Sequence, residues 1–322
     1  MAVDITENFF FTEYSDGIYF NGKATADAFN ESSPAFSPQG SVSGYNSGGN
    51  TPPQTNIIDK FSFASDSNAT DVGDLSVITS AGTGQSSDVS GYTSGGYGSP
   101  TTSLTIQKFP FATDGNATDV GDLTTGTNNN GGQSSASSGY NSGHGTSNTT
   151  IDKFPFATDG NATDVGDLSQ GRTFTSGQSS SENGYTSGGF TPAFSNVIDK
   201  FPFASDENAT DVGDLLVSVI RMSSQSSDVS GYIAGGSIPS VTNAISKFPF
   251  ASDGNATDVG DLTVSRRSNA GQSSTVSGYT SGGYGSPEYL NVIDKFPFAS
   301  DANATDVGDL TVARNGVAGQ QV

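Results

Sequence analysis

The sequence contains no cysteine, no tryptophan, two methionines and a single histidine in 322 residues. Without cysteine there is no disulfide framework, no thiolate metal site and no thiol nucleophile. One histidine cannot build a multi-histidine metal centre, and a Ser/His hydrolase would rest on His144 alone. Basic residues are scarce, 12 against 33 acidic ones, so the formal net charge is −21. Such a chain repels phosphate backbones, and nucleic acid is not an expected partner. No apolar run approaches the roughly 18–20 residues that span a bilayer, so no membrane insertion is expected. The opening MAVDITENFFFTEY is acidic and lacks the basic stretch of a secretory signal. Neither an enzyme nor a cofactor is expected of this composition.

What is present is a repeat. KFxFA occurs at Lys60, Lys108, Lys153, Lys200, Lys247 and Lys295, at spacings of 48, 45, 47, 47 and 48 residues, and each copy continues as NATDVGDL. Upstream lies a Gly-Tyr pair, at Tyr45, Tyr92, Tyr140, Tyr185, Tyr232 and Tyr279. Five of the six units run on to Gly-Gly, and the third reads Gly143-His144. GQSS recurs at Gln85, Gln133, Gln178 and Gln272, with a variant at Gln225. Two-helix solenoids of similar period need helices rich in Leu, Ala, Glu and Lys. These units are instead rich in Gly, Ser, Thr, Asn and Asp, the residues of turns and short strands. Four short strands fit about 40–50 residues, one propeller blade. The expected fold is therefore all-β, a six-bladed β-propeller.

The sixth unit reads as strands over 270–276, 278–283, 291–298 and 305–310. In the third of these, Asp294, Phe296 and Phe298 face one way while Ile293, Lys295 and Pro297 face the other. Apolar residues on both faces require cover on both, which a blade packed between two neighbours receives. Pro297 has no N–H and belongs at an edge or bulge.

These residues resemble the kelch repeat, in which an Arg precedes the first strand, Tyr-x-x-Gly-Gly ends the second and the fourth ends near a Leu. Arg267, with Tyr279, Gly282, Gly283, Ile293, Phe296 and Leu310, falls in that order, over about residues 41–322. The kelch Trp of the fourth strand is absent, leaving Val307 or nearby residues in its place. The consensus NxIDKFPFASDxNATDVGDLTxAR is also similar to repeat proteins encoded by phages and other viruses of marine microbes.

The propeller is expected over 41–322. The chain ends in TVARNGVAGQQV, the start of a seventh unit, so 313–322 is expected to supply the first strand of the blade containing Tyr45. Residues 1–40 stand outside the repeat. NFFFTEYSDGIYFNG reads as a hairpin around Asp16-Gly17. Its aromatics Phe9, Phe10, Phe11, Tyr14, Tyr19 and Phe20 suit either a cap on the propeller or an anchor in a larger assembly.

Of the acidic residues, 22 recur at the positions of Asp294, Asp301, Asp306 and Asp309, with Gln107 and Ser246 as exceptions. SDxNATD reads as an Asx-rich turn bonding to nearby amides, with Lys295 paired to a carboxylate of its own or the next blade. Asp301, Asn303 and Asp306 and their repeats are the alternative Ca²⁺ candidates, although the EF-hand Gly and distal Glu are missing. NAT is also a glycosylation sequon, which the turn already explains. His144 reads as a drifted glycine position. The variable segment between Gly-Gly and the third strand offers loop aromatics for sugar or protein, namely Tyr97, Phe190, Phe194, Tyr284 and Tyr289.

Together with the viral resemblance, this suggests a non-enzymatic virion structural or attachment protein (a tail, fibre or capsid-decorating component). Residues 1–40 would dock on other virion proteins and the loops would meet a host surface glycan or protein. The alternative is a secreted or cell-surface module that binds carbohydrate or protein.

Overall fold

The structure, a computed structural model, describes residues 11–14, 17–20, 23–24, 37–98, 100–144 and 148–322. It divides after Phe36 into two units. In the first, strands Phe11–Tyr14, Gly17–Phe20 and Lys23–Ala24 form a small antiparallel sheet with Tyr14 opposite Gly17. Tyr19 and Phe20 lie in its middle strand; Phe9 and Phe10 fall outside the described residues.

The second unit is a six-bladed β-propeller, all antiparallel and, among the described residues, without a helix. Blade 6 shows the pattern: Ala270–Ser273 innermost, then Ser277–Ser281, Val292–Pro297 and Thr305–Asp309 outermost. The strands are shorter than the sequence suggests, for local reasons. Ser274 starts a turn in which its N–H donates to Ser277 O, which ends the first strand at Ser273. Gly282 and Gly283 take φ of +64° and +108° and leave the second. Pro297 lies beyond the last pair with the fourth strand, Lys295 opposite Thr305, so its missing N–H faces no partner strand. Blade 1 is composite: Ala318–Gln321 forms its innermost strand, with Gln320 opposite Tyr45, beside Ser43–Ser47, Ile57–Ser62 and Thr70–Asp74.

The core is six copies of one interface between blades. Alternation along the third strand sends Ile293 toward blade 1, where it packs with Tyr279, Leu310 and Phe61. It sends Phe296 the other way, to Tyr232 and Leu262 of blade 5. Each Tyr ring lies against the second Phe of the next blade, tilted for Tyr45 on Phe111 at 4.8 Å and stacked for Tyr185 on Phe250 at 4.7 Å. Such aromatic pairs add about 0.5–1.5 kcal/mol beyond area burial. Val307 packs against the Tyr279 cluster.

Two glycine positions are set by close approach. A Cβ on Gly278 would stand 2.3 Å from the Phe296 ring, so the Gly-Tyr glycine makes room for the adjoining strand's Phe. Near the axis, a Cβ on Gly84 would stand 2.0 Å from Gly319 O, because innermost strands meet backbone to backbone.

Candidate functional site

Most of the repeat's polar residues bind the blades to one another. Each lysine reaches the aspartate of the next blade's FPFASD loop: Lys60 to Asp114 at 2.9 Å, and so on round to Lys295 with Asp66 at 3.0 Å. The asparagine of NAT does not serve its own turn, as the sequence suggests. Asn303 Oδ1 accepts from Asp261 N of the preceding blade at 3.1 Å, and Asn68 Oδ1 from Asp309 N at 3.1 Å. Deeper, a ring of glutamines crosses every interface, each Nε2 donating to the next blade's Tyr carbonyl, as Gln272 to Tyr45 O and Gln320 to Tyr92 O at 2.9 Å. These glutamines are fully buried; GQSS marked them, but nothing local in the sequence shows that their partners lie in the next blade.

This bonding occupies the Ca²⁺ candidates. Asp301 pairs with Lys247, Asn303 accepts from Asp261 N, and Asp306 Oδ1 accepts from Gly308 N at 3.1 Å. Among the described residues, no group of three His, Cys, Asp or Glu stands in metal-binding arrangement.

A second layer is charged and buried. Arg172 meets Asp199 at 2.7 Å, Arg266 meets Asp294 at 2.7 Å and Arg314 meets Asp59 at 3.1 Å, with all six side chains inaccessible. Burial pulls each arginine below its usual range, and the carboxylate partly restores it. The arginine that fills this place in blade 6 is Arg266; Arg267 points elsewhere. In blade 3, Thr127 stands where the arginine would be, and His144 takes over. Its imidazole is fully buried, with Nε2 3.8 Å from Asp152 Oδ2 and donating to Asn141 O at 3.1 Å. His144, at the position of the second glycine, thus fills the space beside Asp152 while its Nε2 is bonded to Asn141 O. Blade 2 is neutral, with Gln107 Nε2 3.5 Å from Thr79 Oγ1. Blade 5 is apolar here: Val219 packs with Met222 and Ile233, opposite Ser246.

The ring has two axial mouths, at opposite ends of the innermost strands. At one end, Gln39 Nε2 donates to Ser226 O at 3.1 Å, Gly40 N donates to Ser273 O at 2.8 Å, and Gln321 Nε2 donates to Pro38 O at 2.7 Å. The residues just after Phe36 are thereby fixed at that mouth.

At the other end stand Ala81, Asn129, Phe174, Arg221, Ser268 and Gly316, one per blade, four residues before each ring glutamine. All six are left-handed, with φ between 53° and 62°. Only one is glycine, so five carry a Cβ in a conformation that disfavours it. From Arg221 round to Asn129, each N–H donates to the preceding blade's carbonyl, as Ser268 N to Arg221 O at 2.7 Å and Ala81 N to Gly316 O at 2.6 Å. All of these residues but Phe174 line a cup of about 210 Å³ that also includes Asn50, Ser80 and Asn315. Arg221 lies over the Phe174 ring at 4.4 Å, and Arg267 over Tyr284 at 5.4 Å. Burial and then the Arg267 charge draw Arg221 below its usual range.

The loop aromatics lie on this same end but form no single platform. Phe190 contacts Phe194 edge-on at 5.7 Å in blade 4, Tyr284 contacts Tyr289 at 5.5 Å in blade 6, and Tyr97 stands in blade 2. Their loops are small hairpins stapled to the strand-connecting segments, by the bridges Ser80 to Tyr97, Thr173 to Phe190 and Arg267 to Tyr284. Phe174, Arg221 and the cup escaped the sequence reading; the positions four before each glutamine share no residue type to betray them. Compared with known proteins, the chain matches no family profile and no curated protein sequence.

Proposed function

We propose that the chain is a non-enzymatic attachment protein, a rigid ring with one end for anchoring and the other for recognition. The observation that carries this reading is the division between the two axial mouths. Residues 38–40 lie at one, while the varied hairpin loops and the left-handed rim lie at the other. Loops on a scaffold this heavily cross-linked keep their positions, which lowers the entropic cost of binding. The sequence resemblance makes a virion component of phage or marine-virus type the reading of first choice, with residues 1–36 as the segment that docks. The kelch likeness of the blades fits the same role, display without chemistry.

The test is a pair of proteins, the full chain and residues 37–322, mixed with purified particles of the source virus and imaged with a gold-labelled antibody. Discrete labelling by the full chain, lost without 1–36, supports the reading. Equal labelling by both, or by neither, overturns it.

A further inference from the structure

The turn that joins the first strand of a blade to its second carries a valine in four blades: Val42 in blade 1, Val89 in blade 2, Val229 in blade 5 and Val276 in blade 6. Each is between 57% and 67% exposed. Blade 6 adjoins blade 1, where Lys295 pairs with Asp66, so the four form one unbroken arc, on the mouth that holds residues 38–40. Tight turns favour Gly, Pro, Asn, Asp and Ser, and an exposed valine gains nothing there from burial. Nor does the fold require it. At this position only the backbone carbonyl is used, accepting the N–H that opens the blade's outer loop, as Val89 O from Phe111 N and Val276 O from Phe298 N at 3.0 Å. Ser137 and Glu182 serve equally in blades 3 and 4, at 2.9 Å.

Charge at this end has one sign. Asp88 and Asp228 directly precede Val89 and Val229, and Glu182 stands in the turn of blade 4. The lysines of the outer loops are each held by an aspartate of the next blade. Among the described residues of the ring, no free cation remains at this end, in a chain of net charge −21.

We propose that the valine arc seats a partner protein that presents apolar side chains flanked by lysines or arginines. An apolar centre within a polar rim is the make-up of a docking patch, and the acidic rim fixes the sign of the partner's charge. An anionic membrane or a second copy of this chain would meet the arc with like charge. The inference rests on the reading of this end as the anchoring one and names the chemistry of what it meets, through the ring's own surface rather than through residues 1–36.

The experiment titrates the full chain into short labelled peptides and follows fluorescence anisotropy. One peptide is built of leucine and lysine, a second of serine and lysine with the same charge, and a third of leucine and glutamate. The leucine–lysine peptide should bind about tenfold more tightly than the serine–lysine one, and the glutamate peptide should not bind. Val89→Ser, Val229→Ser and Val276→Ser together should abolish that preference with an unchanged melting curve, because blade 3 holds the same turn with Ser137. Val264→Ser with Val312→Ser, exposed valines outside the arc, is the control and should leave the preference intact. Equal binding of the two lysine peptides would mean attraction by charge alone and would overturn the proposal. So would wild-type preference in the triple variant, loss of preference in the control, or binding to phosphatidylglycerol vesicles or self-association that the triple variant abolishes. Particle labelling through 1–36 is read separately, so failure of the arc and failure of the anchoring reading are distinguishable.

Discussion

Blades 1, 4 and 6 share a fold with blades 2, 3 and 5 but differ at one buried position. The first three hold an Arg–Asp pair with no solvent access. Blade 3 keeps the aspartate and supplies a histidine from the neighbouring strand end, blade 2 turns both partners neutral, and blade 5 makes the site apolar. The carboxylate's other partner follows the same logic. Asp294 accepts from Thr263 N and Oγ1, and Asp59 accepts from Thr311 in the same way. In blade 5 Ser246 stands in the carboxylate's place, and the residue equivalent to these threonines at the end of blade 4 is Leu216, which is exposed. The lesson is that the fold needs the site to be self-consistent, not charged. A buried charge without its partner is expensive, whereas a well-packed neutral substitute costs little.

The comparison can be broken most severely in blade 1, the only blade assembled from both ends of its unit. Deleting 317–322 removes its innermost strand, the Gln320 bond to Tyr92 O and the Gly319 contact with Gly84. The ring should open, and thermal unfolding should lose cooperativity or fall by tens of degrees.

Next in size is the charged site itself. Arg266→Met strands Asp294 and should cost about 3–5 kcal/mol in denaturant unfolding. Giving blade 6 the residues of blade 5, Arg266→Val with Asp294→Ser and Thr263→Leu, should recover most of that loss. If the triple variant is no better than the single one, charge rather than consistency is what the site requires.

A smaller effect is expected in blade 3. His144→Gly restores the residue of the other units but leaves Asp152 with Thr124 as its remaining partner, where N and Oγ1 donate at 3.0 and 2.7 Å. A loss of about 1–3 kcal/mol should follow, and adding Asp152→Ser should return part of it.

The smallest belongs to the outer ion pairs. The side chains of Lys295 and Asp66 are 30% and 59% exposed, so Lys295→Ala should change stability by less than about 1 kcal/mol. That change should vanish at high salt. A loss as large as that of the buried site would mean that the outer ring shares the load equally.

Much of the ring could be read in advance because its determinants are local and repeated. Ile, Tyr, Phe and Leu recur at fixed places, and period-two alternation assigns Ile293 and Phe296 to opposite faces. The pairs were less visible because their members come from different strands: Arg314 and Asp59 are separated by 255 residues. One signal was nonetheless there. Where the repeat aspartate is replaced, at Gln107 and Ser246, the arginine position is also uncharged, Thr79 and Val219. His144 could not be recognised in that way, because it reaches Asp152 from the glycine position and not from the arginine's.

By itself the sequence determined the blade: its period, its strands and the apolar faces that oblige each to lie between two others. Those properties follow from residues a few positions apart. Only the tertiary structure decided which carboxylate belongs to which cation, because closing the ring chooses each side chain's neighbours in the adjoining strand or blade. It also decided that six dissimilar residues, one per blade, meet at a single axial rim.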